Sequence, residues 1–169
     1  MNQPSGLIAR LRGDWPFPAG KSPVFYGWII AGISTLGFLF SVPGQTMGMA
    51  VFADAFIEVT GLSRTELSLA YMFGTIASAF FLTRAGRLFD AYGARIVLIL
   101  AALILGGSIL FLSVVDRISE YLAILVGIDS SVIAFLLMVA GYFGVRFSGQ
   151  GVMTSASRNV LLLWFEQRR

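Results

Sequence analysis

Long apolar segments separated by short charged segments are the feature that most constrains how this 169-residue chain folds. Each segment is close to the length of about 20 helical residues that crosses the hydrocarbon core of a bilayer. Hydrophobic residues make up 57% of the sequence and charged residues only 12%, whereas a soluble domain has roughly a quarter charged. The mean hydropathy of +0.82 agrees with this pattern. The sequence therefore predicts an all-α, polytopic membrane protein with membrane lipid around most of its surface.

The residue types that the chain lacks narrow its function further. It has no Cys, which excludes a disulfide framework and a thiolate metal site. It has no His, which removes the commonest general base and the usual zinc or haem ligand. No metal-ligand cluster or nucleophile–base pair is apparent, so we expect no enzyme activity, no metal and no cofactor. The arginines lie at the ends of apolar segments instead of on one basic face, so no nucleic-acid partner is expected.

The chain divides into three predicted regions. Residues 1–24 contain Asp14, Pro16, Pro18 and Pro23 and lack the apolar core of a signal peptide, so we expect a cytoplasmic tail. Residues 25–157 form a predicted four-span bundle, and residues 158–169 a basic cytoplasmic piece. The predicted spans are residues 25–56, 65–83, 96–115 and 131–157.

Local signals refine these spans. Pro43 is expected to kink the first span, and Gly44 and Gly48 form a small-residue pair that lets another helix approach. The stretch from Ser63 to Glu66 has the Ser-x-x-Glu pattern of a capping box and is expected to start the second span. Residues 121–128 are too few to cross a bilayer and are expected to lie at its surface.

The distribution of Arg and Lys predicts the orientation. The N-terminal tail, the segment between the second and third spans, and the C-terminal piece carry nine of these residues. The opposite side carries only Arg64 and Arg117. Because cytoplasmic segments are enriched in Arg and Lys, both termini are expected in the cytoplasm, with the chain in a bacterial inner (plasma) membrane.

The segment between the second and third predicted spans carries the most specific motif. It places Gly86, Leu88, Asp90, Gly93 and Arg95 at fixed spacings. This pattern resembles the signature loop of the major facilitator superfamily. The resemblance implies twelve helices in two six-helix halves that move by alternating access around a midplane site.

The resemblance also assigns roles to the motif. It implies that Asp90 is the carboxylate of a conformational latch, facing a helix terminus and basic residues of the other half, with Arg95 as its basic neighbour. It implies that Gly86 and Gly93 permit close packing and the turn. Ala91 and Ala94 depart from the family pattern, which often has basic residues there. Arg84 or Arg87 is expected to compensate for those missing charges.

Four further stretches are similar to the oxalate/formate antiporter and monocarboxylate carrier branch of that superfamily. They are residues 25–28, 61–64, 146–151 and 164–169. This likeness implies a small organic anion as substrate, such as a monocarboxylate.

Arg146 is the one charged residue well inside a predicted span. Exposing it to lipid costs at least ~2.5–3.5 kcal/mol, so it is expected to face the bundle interior, a cavity or a carboxylate. Its fork of N–H groups suits a carboxylate ligand, and the alternative is a structural arginine held by another helix. Gln150 and Gly151 follow it by four and five residues, whereas the family pattern has Gln at three and Gly at four. On an α-helix that offset turns a side chain by about 100°.

Neutral polar residues complete the candidate site. Gln45, Thr46 and Gln150 are candidates for lining a substrate path, and hydrogen bonding between helices is the alternative for each of them. The predicted spans contain no Asp, Glu or His in their apolar cores. A proton site is therefore not expected on these helices, which favours exchange or facilitated movement of an anion.

The resemblance also implies partners within a larger protein. A facilitator half has six spans, so the chain is interpreted as the truncated, N-terminal part of a secondary active or facilitative transporter whose remaining helices are missing. The alternative is a four-span scaffold or subunit that transports nothing. In that case the Gly44/Gly48 pair and Gly106-Gly107 are its assembly faces.

Overall fold

The computed structural model describes residues 26–166, and all regular elements within that range are helical. A 3₁₀ turn, Val42–Gly44, separates the first two helices, and a π-helical segment, Arg146–Met153, separates the last two. The α-helices are α1 (Tyr26–Phe40), α2 (Thr46–Val51), α3 (Ala53–Thr60), α4 (Arg64–Tyr92), α5 (Ala94–Leu112), α6 (Val115–Val126), α7 (Ser130–Val145) and α8 (Thr154–Glu166).

The first apolar segment is interrupted at Pro43. Proline has no N–H for the helical ladder and clashes with the preceding turn, so α1 ends at Phe40 and a 3₁₀ turn follows. Gln45 then adopts an extended conformation before α2 begins. The predicted kink is therefore present as a full break. The predicted single span over residues 25–56 is a series of short helices instead.

Helix α4 begins as the sequence predicts. The backbone N–H of Glu66 donates to Ser63 Oγ at 3.2 Å, and the backbone N–H of Ser63 donates to Glu66 Oε2 at 2.7 Å. This reciprocal pair is the capping box, and its prediction is confirmed.

Helix α4 ends later than predicted. It has 29 residues and continues past residue 83 to Tyr92, where the prediction placed a loop. At 1.5 Å per residue its length is roughly 43 Å, more than the ~30 Å hydrocarbon core of a bilayer. Residues 84–92 stay helical because they contain no proline, and only Gly93, with φ of 82°, ends the helix.

The segment between α5 and α7 is a separate short helix. Helix α6 has 12 residues and begins at Val115, before the predicted surface segment of residues 121–128. Its C-terminus is closed by Gly127 in the left-handed conformation. Asp129 then caps α7 by accepting from the backbone N–H of Ser131 at 3.0 Å. That hydrogen bond, and a second from the Ser131 hydroxyl, lower the pKa of Asp129.

The continuous helix formed by α7, the π segment and α8 lies at the centre of the packing. Helix α7, the π segment and α8 follow one another, so the helix continues beyond the predicted end of the span at residue 157. Helix α7 packs mainly on α4, the π segment packs on α4 and α5, and α8 packs on α1. Met138, Val145 and Ser148 along this helix are fully buried.

A close backbone contact joins the 3₁₀ turn after α1 to the π segment of this continuous helix. A Cβ added to Gly44 would lie 2.6 Å from Gly149 Cα, and one added to Gly149 would lie 2.7 Å from Gly44 Cα. The close approach predicted at Gly44 is therefore present. Gly48 instead faces the Val42 carbonyl of its own segment, so the predicted role of Gly48 toward another helix is not found.

Several helices have the length and composition of membrane spans. Within residues 26–166 these are Arg64–Tyr92, Ala94–Leu112 and Ser130–Leu162. Gly27–Phe40 is also apolar but is shorter than a span. Large apolar side chains on their outer faces are exposed, including Phe80 at 71%, Leu103 at 68% and Leu110 at 70%. A surface of this kind is stable in lipid, and the structure thus supports an all-α protein with three candidate spanning helices.

Candidate functional site

Arg146 lies where the π segment meets two other helices. Its Nη1 donates a hydrogen bond of 3.3 Å to Thr46 Oγ1, at the start of α2. Its Cζ lies 5.1 Å from the ring centroid of Tyr71 on α4, which is within the range of a cation–π contact. The guanidinium of Arg146 is therefore directed at residues of other helices.

Two tyrosines support this contact. Tyr71 donates from its hydroxyl to Thr46 Oγ1 at 2.9 Å, so Thr46 accepts from both Tyr71 and Arg146. The ring of Tyr71 packs edge-to-face on Tyr142, with centroids 5.3 Å apart. Tyr142 is 2% exposed and fixes the position of the Tyr71 ring. We call Thr46, Tyr71, Tyr142 and Arg146 the Arg146 cluster.

A glycine brings the helices of this cluster together. A Cβ added to Gly74 on α4 would lie 2.8 Å from the backbone nitrogen of Phe143 and 2.9 Å from Tyr142 Cβ on α7. Only a residue without a side chain permits this separation of α4 and α7. Because Gly74 is three residues from Tyr71, the same face of α4 presents Tyr71 to Tyr142.

The guanidinium keeps an unused donor. Arg146 Nε is buried and has no hydrogen-bond partner among the described residues. No Asp or Glu within residues 26–166 forms an ion pair with Arg146. An arginine has five N–H donors, and leaving a buried one unpaired costs about 1–3 kcal/mol or more for a charged group. The arrangement therefore favours an acceptor oxygen beside Nε.

An open cleft adjoins the cluster. It has a volume of about 170 Å³ and is lined by Thr46, Tyr71 and Tyr142 of the cluster. Ser68 adds a fourth hydroxyl to its wall, and the remaining lining is apolar. A cleft of this size and lining suits a small solute with one polar end.

The two glutamine candidates lie outside this cluster. Gln45 donates from Nε2 to Ser41 Oγ at 3.1 Å, and Ser41 also accepts from Thr154 Oγ1 at 3.3 Å. Gln45 thus belongs to a polar network that joins the break in the first segment to α8. Gln150 is exposed, and no side-chain hydrogen bond from it occurs within the described range.

The predicted latch residues lie at the other end of α4. Asp90 is 19 residues from Tyr71, which is roughly 28 Å along a helix. Asp90 is exposed and forms no ion pair with Arg95 in the part of the chain that the structure describes. Arg84, expected to compensate for missing charge, instead lies over the Phe81 ring at 5.5 Å.

The two motif glycines differ in their surroundings. Gly93 has φ of 82° and ψ of 163°, a conformation that is essentially restricted to glycine, so its predicted role in the turn is present. Gly86 is helical, and an added Cβ there would meet no atom of residues 26–166 within 4 Å. The close packing that the motif implies at Gly86 is therefore not found.

This difference gives a testable prediction. We expect Gly93→Ala to lower the free energy of unfolding by about 1–3 kcal/mol, because alanine strains that backbone. We expect the matched control Gly86→Ala to raise it by up to ~1 kcal/mol through helix propensity. Both are measured by following helicity during denaturation in detergent. Equal effects of the two substitutions would contradict the geometry.

The sequence gives little signal for two members of the cluster. Tyr71 and Tyr142 are uncharged and lie inside predicted spans, where aromatic residues are ordinary apolar surface. The only available signal is a phenolic hydroxyl at a position expected to be surrounded by helices or lipid.

Comparisons with protein-family models, with curated proteins and with solved structures found no match.

Proposed function

We propose that this chain forms the N-terminal helices of a secondary transporter of the major facilitator type that moves a small organic anion, such as a monocarboxylate, by alternating access. The observation that carries this proposal is the buried, unpaired Nε of Arg146. Thr46 and Tyr71, which contact the Arg146 guanidinium, line the neighbouring cleft, although Arg146 itself does not. The remaining helices of the same transporter and the bilayer are the other partners that the proposal requires.

The electrostatics of the cluster favour an anion. Tyr71 contacts one face of the guanidinium, and Thr46 accepts a hydrogen bond from one of its nitrogens. The other N–H groups are left for a ligand. A carboxylate matches two N–H groups of arginine at once, and such charge-assisted pairs are about twice as strong as neutral hydrogen bonds. A neutral solute of the same shape gains only ordinary hydrogen bonds at this position.

The π segment supports the resemblance to the superfamily. In an α-helix, residues i+3 and i+4 lie on the same face as residue i. The wider turn of a π-helix places residues i+4 and i+5 on that face instead. Gln150 and Gly151 follow Arg146 at four and five residues within this segment. The wider turn thus compensates for the one-residue offset from the family pattern.

The proposed orientation follows the charges at the two ends of the bundle. One end, where α3 contacts α4 and α6, carries Arg64 and Arg117 with six carboxylates. The other end, at the α4–α5 junction, carries Arg84, Arg87 and Arg95, and Asp90 is the one carboxylate within residues 84–95. By the positive-inside rule this second end faces the cytoplasm.

Single cysteines test this orientation, because the chain has no native Cys. We expect a membrane-impermeant maleimide to label Glu120→Cys on intact cells and to label Asp90→Cys only after permeabilisation. Both side chains are exposed, so access differs only by the side of the membrane. The unsubstituted chain is the control for background labelling. The reverse pattern would overturn the orientation.

Uptake of a labelled anion tests the function itself. Cells that express the complete coding frame containing this chain are expected to accumulate radiolabelled lactate above cells with an empty vector. Acetate is expected to compete with the uptake, whereas its neutral counterpart acetamide is not. Uptake equal to the vector control, or equal competition by the amide, would contradict the proposal.

A non-transporting scaffold is the second candidate. It is favoured by Gly106 and Gly107 on α5, where an added Cβ would meet nothing within 4 Å, leaving a face open to another helix. A scaffold predicts self- or partner association that Gly106→Leu disrupts, together with no anion uptake. A transporter predicts uptake that this substitution leaves intact.

A further inference from the structure

An open groove runs between α4 and α5 and shares no lining residue with the cleft beside the Arg146 cluster. Its almost wholly apolar lining comes from both helices and the π segment, and its volume is about 200 Å³. The lining includes Leu88, Tyr92, Ile96, Leu100, Ile104 and Phe147. From Ile96 to Ile104 the groove follows α5 for roughly 12 Å.

Three arginines are sequence neighbours of residues that line one end of this groove. Arg84, Arg87 and Arg95 each immediately precede a residue of the groove lining, namely Ala85, Leu88 and Ile96. Arg95 Nη1 is buried and has no hydrogen-bond partner among residues 26–166. Residues 84–95 carry three arginines against the one carboxylate of Asp90, so this stretch is net positive, and the groove continues from it along a helix of candidate membrane-spanning character.

We propose that this groove binds an anionic phospholipid, with the phosphate at Arg87 and Arg95 and an acyl chain along Leu100 and Ile104. The ligand needs a negative end and an apolar chain of some length, which matches a phospholipid and does not match a small carboxylate. Leu88, Tyr92, Leu100 and Ile104 are 44–52% exposed, so the lining is accessible from the lipid side.

The forces on such a ligand are of two kinds. Each CH₂ group that is buried from water contributes ~0.8 kcal/mol. A free lipid already has its acyl chains in the bilayer, so burial of the chain in the groove adds little to the binding free energy and does not distinguish one lipid from another. The basic residues near the membrane surface contribute ~1 kcal/mol each toward an anionic headgroup. Selectivity for headgroup charge is therefore the signature of this site. Lipid binding at this groove requires no transport activity.

Native mass spectrometry of the full chain tests this site. The chain is released from nanodiscs that contain equal phosphatidylglycerol and phosphatidylcholine, and the bound lipids are counted. We expect phosphatidylglycerol to be retained preferentially. We expect the Arg87→Gln/Arg95→Gln variant to lose affinity for it by about 25-fold, as the loss of two such charges implies.

Matched variants separate this site from general charge effects. Arg64→Gln/Arg117→Gln removes two arginines from the opposite end and is expected to leave retention unchanged. Arg87→Lys/Arg95→Lys keeps the charge and is expected to retain the lipid, which separates lost binding from lost folding.

Three outcomes would overturn the proposal. They are equal retention of the two lipids, displacement of phosphatidylglycerol by millimolar inorganic phosphate, and dimers cross-linked through Leu100→Cys. The last result would show that a second copy covers the groove.

Discussion

Arg146→Ala is expected to weaken binding of a small carboxylate by roughly 100-fold or more. Two charge-assisted hydrogen bonds, each contributing ~1.5–3 kcal/mol, are lost with the guanidinium. The substitution removes the buried, unpaired Nε but also the hydrogen bond to Thr46 and the contact with the Tyr71 ring, so we expect a small net change in the stability of the folded state. Binding is measured by isothermal titration of lactate into the purified full chain, and abundance in the membrane by immunoblot.

Two controls make this result specific. Arg117→Ala removes an exposed arginine from the end of the bundle and is expected to leave the affinity unchanged. Arg146→Lys keeps the charge but loses the planar fork, so we expect an affinity between those of the native chain and Arg146→Ala. If Arg146→Ala bound lactate as the native chain does, the arginine would be structural.

Gly149→Ala is expected to destabilise the bundle by about 1–3 kcal/mol. The added Cβ would lie 2.7 Å from Gly44 Cα and 3.1 Å from Gly44 N, and both atoms are backbone that cannot change rotamer. Overpacking of this kind forces the helices apart. Thr46 lies two residues after Gly44, so the Arg146–Thr46 hydrogen bond is expected to lengthen and the anion affinity to fall as well.

Gly107→Ala is the matched control for this prediction. An added Cβ at Gly107 meets nothing within 4 Å, so the helix propensity of alanine is expected to raise the stability by up to ~1 kcal/mol. Both variants are compared by equilibrium unfolding in mixed detergent micelles, followed by circular dichroism. Stability changes of the same sign for Gly149→Ala and Gly107→Ala would contradict the backbone contact.

Local features of the fold were predictable because their causes lie within a few residues. The capping box depends on Ser63 and Glu66 alone, and the break in the first segment on Pro43. The end of α4 was mispredicted because the charges of residues 84–90 were interpreted as a loop. Helix formation continues there until Gly93, since charged residues outside the hydrocarbon core carry no penalty against helix.

The Arg146 cluster was only partly predictable. The cost of charge in lipid identifies Arg146 from sequence alone. Its partners Thr46 and Tyr71 are 100 and 75 positions away, and their contact depends on which helix faces which. That packing depends on backbone approaches at Gly74 and at the Gly44–Gly149 contact. The π segment is likewise a product of tertiary packing that the apolar pattern of the last span does not reveal.

Solid-state NMR measures directly whether a carboxylate binds to the Arg146 guanidinium. The full chain, labelled with ¹⁵N at its arginine side chains, is reconstituted in lipid with lactate carrying ¹³C at its carboxylate. Binding at Arg146 predicts dipolar coupling at an N···C distance of about 4 Å, as a charge-assisted hydrogen bond requires, and the loss of this coupling in Arg146→Lys. Coupling that persists in Arg146→Lys would show that another arginine binds the carboxylate, and no coupling at saturating lactate would show that no arginine does.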